Sequence, residues 1–186
     1  HAVGCAEAGL LWPKLKTVQE TQTRFESDEV VYVSVGDGTT SEGEFFEALN
    51  TACNLRLPVL FHVEDNGYAI SVPVEVQTAG GSISKLLQGF PNLLRLEFDG
   101  CDPDASFAAW GEAVSYARNR QGPVLLHAHV VRPYSHSMSD DERLYRSAKE
   151  IAEQALRDPI PVYRARLTQE FGMAEQKVQT MRVKEF

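Results

Sequence analysis

The sequence predicts an α/β fold, an open and mostly parallel sheet covered by helices on both faces. Two observations carry this. Apolar runs (Glu29–Val35, which is rich in β-branched residues, then Val59–Val63, Leu93–Phe98 and Val124–Val131) alternate with stretches of helical period. The first two runs end in polar turns, Gly36-Asp37-Gly38 and Glu64-Asp65-Asn66-Gly67, of the kind that gathers ligands at the carboxyl edge of such a sheet.

Each element follows in order. His1–Leu11 reads as a helix of small residues, broken by Pro13. Glu29–Val35 is a buried strand, and the flanking glycines let the Asp37 turn be tight and bring backbone N–H groups close to an anion. Ser41-x-x-Glu44 reads as a capping box opening a helix that ends near Asn54, with Phe45, Leu49, Ala52 and Cys53 on one face. Its positive end would face whatever the turn holds. Val59–Val63 is the second strand. The Val72–Gly81 stretch reads as a loop able to cross the site, and Ile83, Leu86, Leu87 and Phe90 as a short helix. Leu93–Phe98 is the third strand. Asp102-Pro103 is an N-cap followed by a first-turn proline, with Phe107, Trp110, Val114 and Ala117 as the buried stripe. Val124–Val131 is the fourth strand, a helix starts near Ser147, and Met173–Phe186 reads as a polar amphipathic helix. The expected division is an α/β domain over 1–157 and a helical extension over 158–186.

Asn66 follows Asp37 by 29 positions (66 − 37), enough for one helix and one strand, so both return to one sheet edge. An acidic side chain and an amide there can hold magnesium, and magnesium a diphosphate. A lone Gly-Asp-Gly or Asn-Gly is an ordinary turn; the pair at this spacing is more specific.

The segment resembles the thiamine diphosphate signature of transketolase-like enzymes: Gly-Asp-Gly, under thirty residues, then Asn. More narrowly, SEGEFFEALNTACNLRLPVLF and DNGYAIS resemble the alpha subunit of the first component of 2-oxo acid dehydrogenase complexes. Arg132-Pro-Tyr-Ser-His-Ser-Met-Ser-Asp-Asp141, with Tyr145-Arg146, resembles the same subunit's loop bearing a catalytic histidine. Read alone, His136 is a solvated loop histidine; with both blocks in order, the catalytic reading is favoured.

The resemblance implies thiamine diphosphate and magnesium as cofactors. Asp37, Asn66 and the Tyr68 backbone carbonyl match the magnesium ligands. Gly38 and Thr39 match positions that meet the diphosphate, and Ile70 one that packs against the cofactor. Arg132 would orient the loop or meet phosphate. His136 would serve the reacting carbon, and Ser137 matches a serine that some members phosphorylate. The implied reaction is oxidative decarboxylation of a 2-oxo acid, pyruvate or branched-chain, with acyl transfer to a lipoyl group on the complex's second component. The activating glutamate belongs to a beta-type subunit or fused beta domain, so the chain by itself is expected to be inactive.

Two departures from the family pattern stand out. Asp65 occupies a position that commonly holds Asn, adding negative charge near the site, and His127 one that is often acidic. His127 and His129 share a sheet face, as hydrogen-bonded strand histidines or, alternatively, a zinc pair.

At 186 residues and 43% hydrophobic, the chain suits one globular domain, and its net charge of −8, with no basic run, argues against non-specific nucleic-acid binding. Cys5, Cys53 and Cys101 lack metal-ligand spacing and suggest reduced thiols. No apolar run is long enough to span a membrane. The resemblance implies a cytoplasmic setting in a bacterium or the mitochondrial matrix in a eukaryote. It begins inside the family's subunit, so the chain reads as a fragment or as the ordered part of a longer protein, such as a fused alpha–beta chain. The alternatives are an acetoin dehydrogenase-type or other transketolase-like enzyme, and a non-enzymatic nucleotide-binding or interaction domain, for which ligand binding would not depend on Asp37.

Overall fold

Helix α1 (Ala2–Leu11) tightens into a 3₁₀ turn at Trp12–Lys14, where Pro13 stops it. The computed structural model describes residues 1–15 and 26–184. Strand β1 (Val31–Gly36) leads through a 3₁₀ turn, Asp37–Ser41, into α2 (Gly43–Leu55), and α2 into β2 (Val59–Asp65). A small hairpin follows, β3 (Tyr68–Ala69) against β4 (Val72–Pro73), then the short helices α3 (Val74–Gln77) and α4 (Ile83–Leu86). Next come β5 (Leu94–Asp99), α5 (Pro103–Arg118) and β6 (Val124–His129), and finally α6 (Ala148–Ala155), α7 (Pro159–Gln169) and α8 (Glu175–Lys184). The last two residues of the helix expected over Met173–Phe186 lie outside the described residues.

The main sheet has the order β1-β2-β6-β5 with every neighbouring pair parallel, so the expected α/β architecture is what forms. Gly36 sits opposite Glu64, and Asp65, His129 and Asp99 form one row, so all four carboxyl ends share one edge. Side chains alternate between two packed layers. Val59, Phe61, Val63 and Leu125 meet Ala6 of α1 and Phe45, Leu49, Ala52 and Cys53 of α2. Leu60, Val124 and Leu126 meet Ala109, Ala113 and Ala117 of α5 on the other side. Each buried Leu, Val or Phe contributes about 1.5–3 kcal/mol by leaving water. Burial also pushes the Cys53 thiol up to about 11, so this free cysteine is inert packing.

Several local expectations are corrected. The Ser41–Glu44 capping box does not form: Glu42 is the N-cap and makes no side-chain cap bond, and Ser41 closes the 3₁₀ turn. That turn is held by the Thr40 hydroxyl donating to the Asp37 carbonyl at 2.7 Å. Phe107 is 84% exposed rather than part of the buried stripe; alanines line the α5 seam instead, with Trp110 and Val114 half-buried, because small residues let the helix approach the sheet closely. The Val72–Gly81 segment is a strand, a helical turn and a 3₁₀ turn rather than an open loop. Strand β6 ends at His129, two residues early, as the chain leaves for the His136 loop.

Asp102 caps α5 as expected, accepting from the Asp104 and Ala105 N–H groups. Helix α7 is fastened to this end of α5 by Arg166 and Tyr163, 2.7 and 2.9 Å from the Asp104 carboxylate. No helix among the described residues is long and apolar enough to cross a membrane.

Candidate functional site

Asp37 follows β1 directly and is 1% exposed. Its carboxylate accepts from Gln77 Nε2 at 2.9 Å and from backbone N–H groups of Asp37 and Asn66. Burial, reinforced by the nearby Asp65 carboxylate, holds its pKa above the usual carboxylate range despite these bonds. Asn66 follows β2, and its Oδ1 is buried without a hydrogen-bond partner. The structure therefore brings Asp37 and Asn66 together at one sheet edge. A buried carboxylate beside an unpartnered amide oxygen is a donor set that could hold a hard divalent cation.

The β3–β4 hairpin packs onto this turn. A Cβ on Gly38 would lie 2.8 Å from the Ala69 Cβ, so only glycine fits there without movement. Thr39 is exposed beside it. Ile70, at the hairpin tip, is 53% exposed and has a left-handed backbone (φ 57°), a costly conformation for a β-branched residue.

The second block reaches the first through Arg132. Its Nη1 donates to the Ile70 carbonyl at 2.9 Å and its Nη2 to the Tyr145 hydroxyl at 2.6 Å. Tyr145 in turn donates to Asp140 Oδ2 at 2.6 Å, and the same oxygen accepts the His136 backbone N–H at 2.8 Å. The Arg132 guanidinium lies 6.0 Å from the Tyr68 ring centre and 5.8 Å from that of Tyr145. The Tyr68 hydroxyl donates to Glu150 at 2.9 Å. Beneath the loop, Arg146 is buried, donating to the Arg132 carbonyl and pairing with Glu142 at 2.5 Å. His136 and Ser137 are exposed on the loop, with Ser137 Oγ 3.2 Å from Ser139 Oγ.

The two departures from the family pattern meet. His127 is fully buried, its Nε2 2.8 Å from Asp65 Oδ2 and its Nδ1 2.8 Å from Ser84 Oγ. His129 shares its face, half-exposed, with Nε2 2.8 Å from Glu97. Burial pushes the Asp65 carboxyl upward, but hydrogen bonds from His127 and the Gly67 N–H, with the two imidazoles' charge, bring it below its usual range. Gln77, Ser84 and this pairing were missed in the sequence. Gln77 gives no signal there; the pairing had one, two compensating departures in a single chain.

The family described as dehydrogenase E1 component matches residues 13–185. The chain is 38% identical over 179 residues to the 3-methyl-2-oxobutanoate dehydrogenase subunit alpha of Mycobacterium tuberculosis, covering 96% of this chain and 45% of that protein. It is 34% identical over 181 residues to the Bacillus subtilis 2-oxoisovalerate dehydrogenase subunit alpha (97% and 51%). It is also 36% identical over 137 residues to the pyruvate dehydrogenase E1 component subunit alpha of Bacillus subtilis (73% and 37%). The chain spans about half the length of the first two relatives. It belongs to the dehydrogenase E1 component family.

Proposed function

We propose that this chain is the alpha-type half of a 2-oxo acid dehydrogenase first component, an oxidoreductase that uses thiamine diphosphate and passes an acyl unit to a lipoyl group. The observation that carries the reading is the meeting of Asp37 with the unpartnered Asn66 Oδ1 at the carboxyl ends of two adjacent parallel strands. These donors fit magnesium. Asp37 and Asn66 would hold the ion by side-chain oxygens and Tyr68 by its backbone carbonyl, while Gly38 and Thr39 flank the diphosphate. When bound, the cofactor supplies a carbanion and an electron sink for decarboxylation.

The chain's own residues bind, orient and manage protons. Ile70 presents an exposed apolar side chain to the cofactor from its strained backbone position. Arg132 fixes the hairpin tip to the second block. His136, on the loop so anchored, would hold or deliver a proton at the reacting carbon. Phosphate on Ser137 would place a dianion beside that histidine.

A branched-chain 2-oxo acid is favoured over pyruvate as substrate, because the relatives aligned over 96% and 97% of the chain carry branched-chain names. A beta-type subunit or fused beta domain and a lipoyl-bearing second component would be the partners, in a bacterial cytoplasm or mitochondrial matrix.

The test is thermal stability of the intact protein with thiamine diphosphate, with and without magnesium, for the wild type and Asp37→Ala. A magnesium-dependent rise that the variant lacks is expected. No rise in the wild type with its beta partner present would overturn the reading.

A further inference from the structure

Beside the Asp37 edge, on β2 and β6, lies a second constellation that the proposed reaction does not use. Asp65, His127 and His129 stand on the same sheet face with ligand-capable atoms within 4.8 Å of one another. Asp65 Oδ2 is 2.8 Å from His127 Nε2 and 3.9 Å from His129 Nδ1. These separations bracket the edge of a zinc tetrahedron, about 3.3 Å for ligands at about 2.0–2.1 Å.

We propose that Asp65, His127 and His129 form a binding site for a borderline divalent transition ion such as zinc, distinct from the Asp37–Asn66 site. The donor set of two imidazoles and one carboxylate suits zinc and not magnesium, which prefers oxygen. What separates it from a chance cluster is the outer layer. Metal-bound histidines hold their second nitrogen in a hydrogen bond that fixes tautomer and ring. Here His127 Nδ1 is held by Ser84 Oγ at 2.8 Å, and His129 Nε2 by Glu97 at 2.8 Å. The spare Asp65 oxygen accepts the Gly67 N–H at 2.8 Å. Each ligand is thus oriented from behind, leaving the three inner atoms facing one another. Binding displaces the proton shared by Asp65 Oδ2 and His127 Nε2, which leaves as H⁺. The half-exposed His129 gives the ion its entry, and the fourth position is left to water.

The experiment is metal analysis of the intact protein, stripped with chelator, reloaded with zinc in saturating magnesium and passed through a desalting column. The expected result is one zinc retained per chain by the wild type and by Asp37→Asn. His129→Gln, at a half-exposed position, should lose it, and Ser84→Ala should weaken affinity about 10–100-fold. Cobalt in place of zinc should give the intense visible bands of four-coordination in the wild type, which needs no variant to fold. Absence of stoichiometric zinc in the wild type, a weak six-coordinate cobalt spectrum, or zinc held equally tightly by His129→Gln would overturn the proposal.

Discussion

Asp65 and His127, on neighbouring strands, are joined by a 2.8 Å hydrogen bond with neither side chain more than 6% exposed. Each departs from the pattern that the resemblance implies, and the contact gives both departures one reason. Replacing the charged acceptor of a buried hydrogen bond by a neutral one costs about 1–3 kcal/mol. Asp65→Asn should therefore be destabilised, while Asp65→Asn with His127→Glu, the amide–acid pairing that the resemblance implies, should recover most of the loss. Denaturant unfolding of the two single variants and the double, read as a mutant cycle, measures the coupling.

The same carboxylate sets a pH dependence. Its folded pKa lies below the unfolded value, so its stabilisation is present above the ordinary carboxylate range and lost as pH falls through the lowered value. The melting-temperature gap between wild type and Asp65→Asn should close on acidification.

Asp37 behaves in the opposite sense. Its folded pKa is raised, so whatever the neutral form contributes is present at low pH and disappears as pH rises through that value. At neutral pH, Asp37→Asn should melt higher than wild type without metal, by about 2–4 °C for each kcal/mol relieved in a domain of this size. The same variant should show no magnesium response, and calorimetry with and without the ion checks both.

Ile70 carries backbone strain of about 1–3 kcal/mol at φ 57°. Ile70→Gly should raise the stability of the cofactor-free protein and weaken thiamine diphosphate binding by removing the apolar contact. Unchanged affinity for thiamine diphosphate, measured by titration calorimetry in magnesium, would show that Ile70 does not touch the cofactor.

Tyr145→Phe should cut the relay from Arg132 to Asp140, losing two hydrogen bonds of roughly 1 kcal/mol each. Faster amide exchange across residues 134–142, with the sheet unaffected, is the expected signature. Equal exchange in the two proteins would show that other contacts hold the loop.

The sheet and its order of elements were legible because strand and helix periods differ and buried strands must be apolar. The Asp37–Asn66 meeting was legible for the same reason: a helix and a strand between them return the chain to one edge. Contacts between distant side chains were not. Gln77 reaches Asp37 only because the hairpin folds over the turn, and nothing in a glutamine announces that. The capping box failed because Thr40 tightened the preceding turn, and Phe107 because alanine spacing turned α5 onto its small-residue face. Arg132 was expected to orient the loop, but its acceptor at the Ile70 carbonyl is a backbone atom that no residue type marks.

The strand order also bears on how the protein is made. Strands β1 and β2 are successive along the chain and pair directly, whereas β2 must wait for β6, with Leu60 opposite Val124. A ribosome releasing the chain from its amino end completes the Asp37–Asn66 turn pair well before residue 124 exists. Closing that longer loop is the slower entropic step, and only then is the His136 segment fixed. Synthesis thus passes through a stage in which Asp37 and Asn66 can assemble while the histidine loop cannot, and in that interval the unpaired flank of β2 is the edge most exposed to wrong partners.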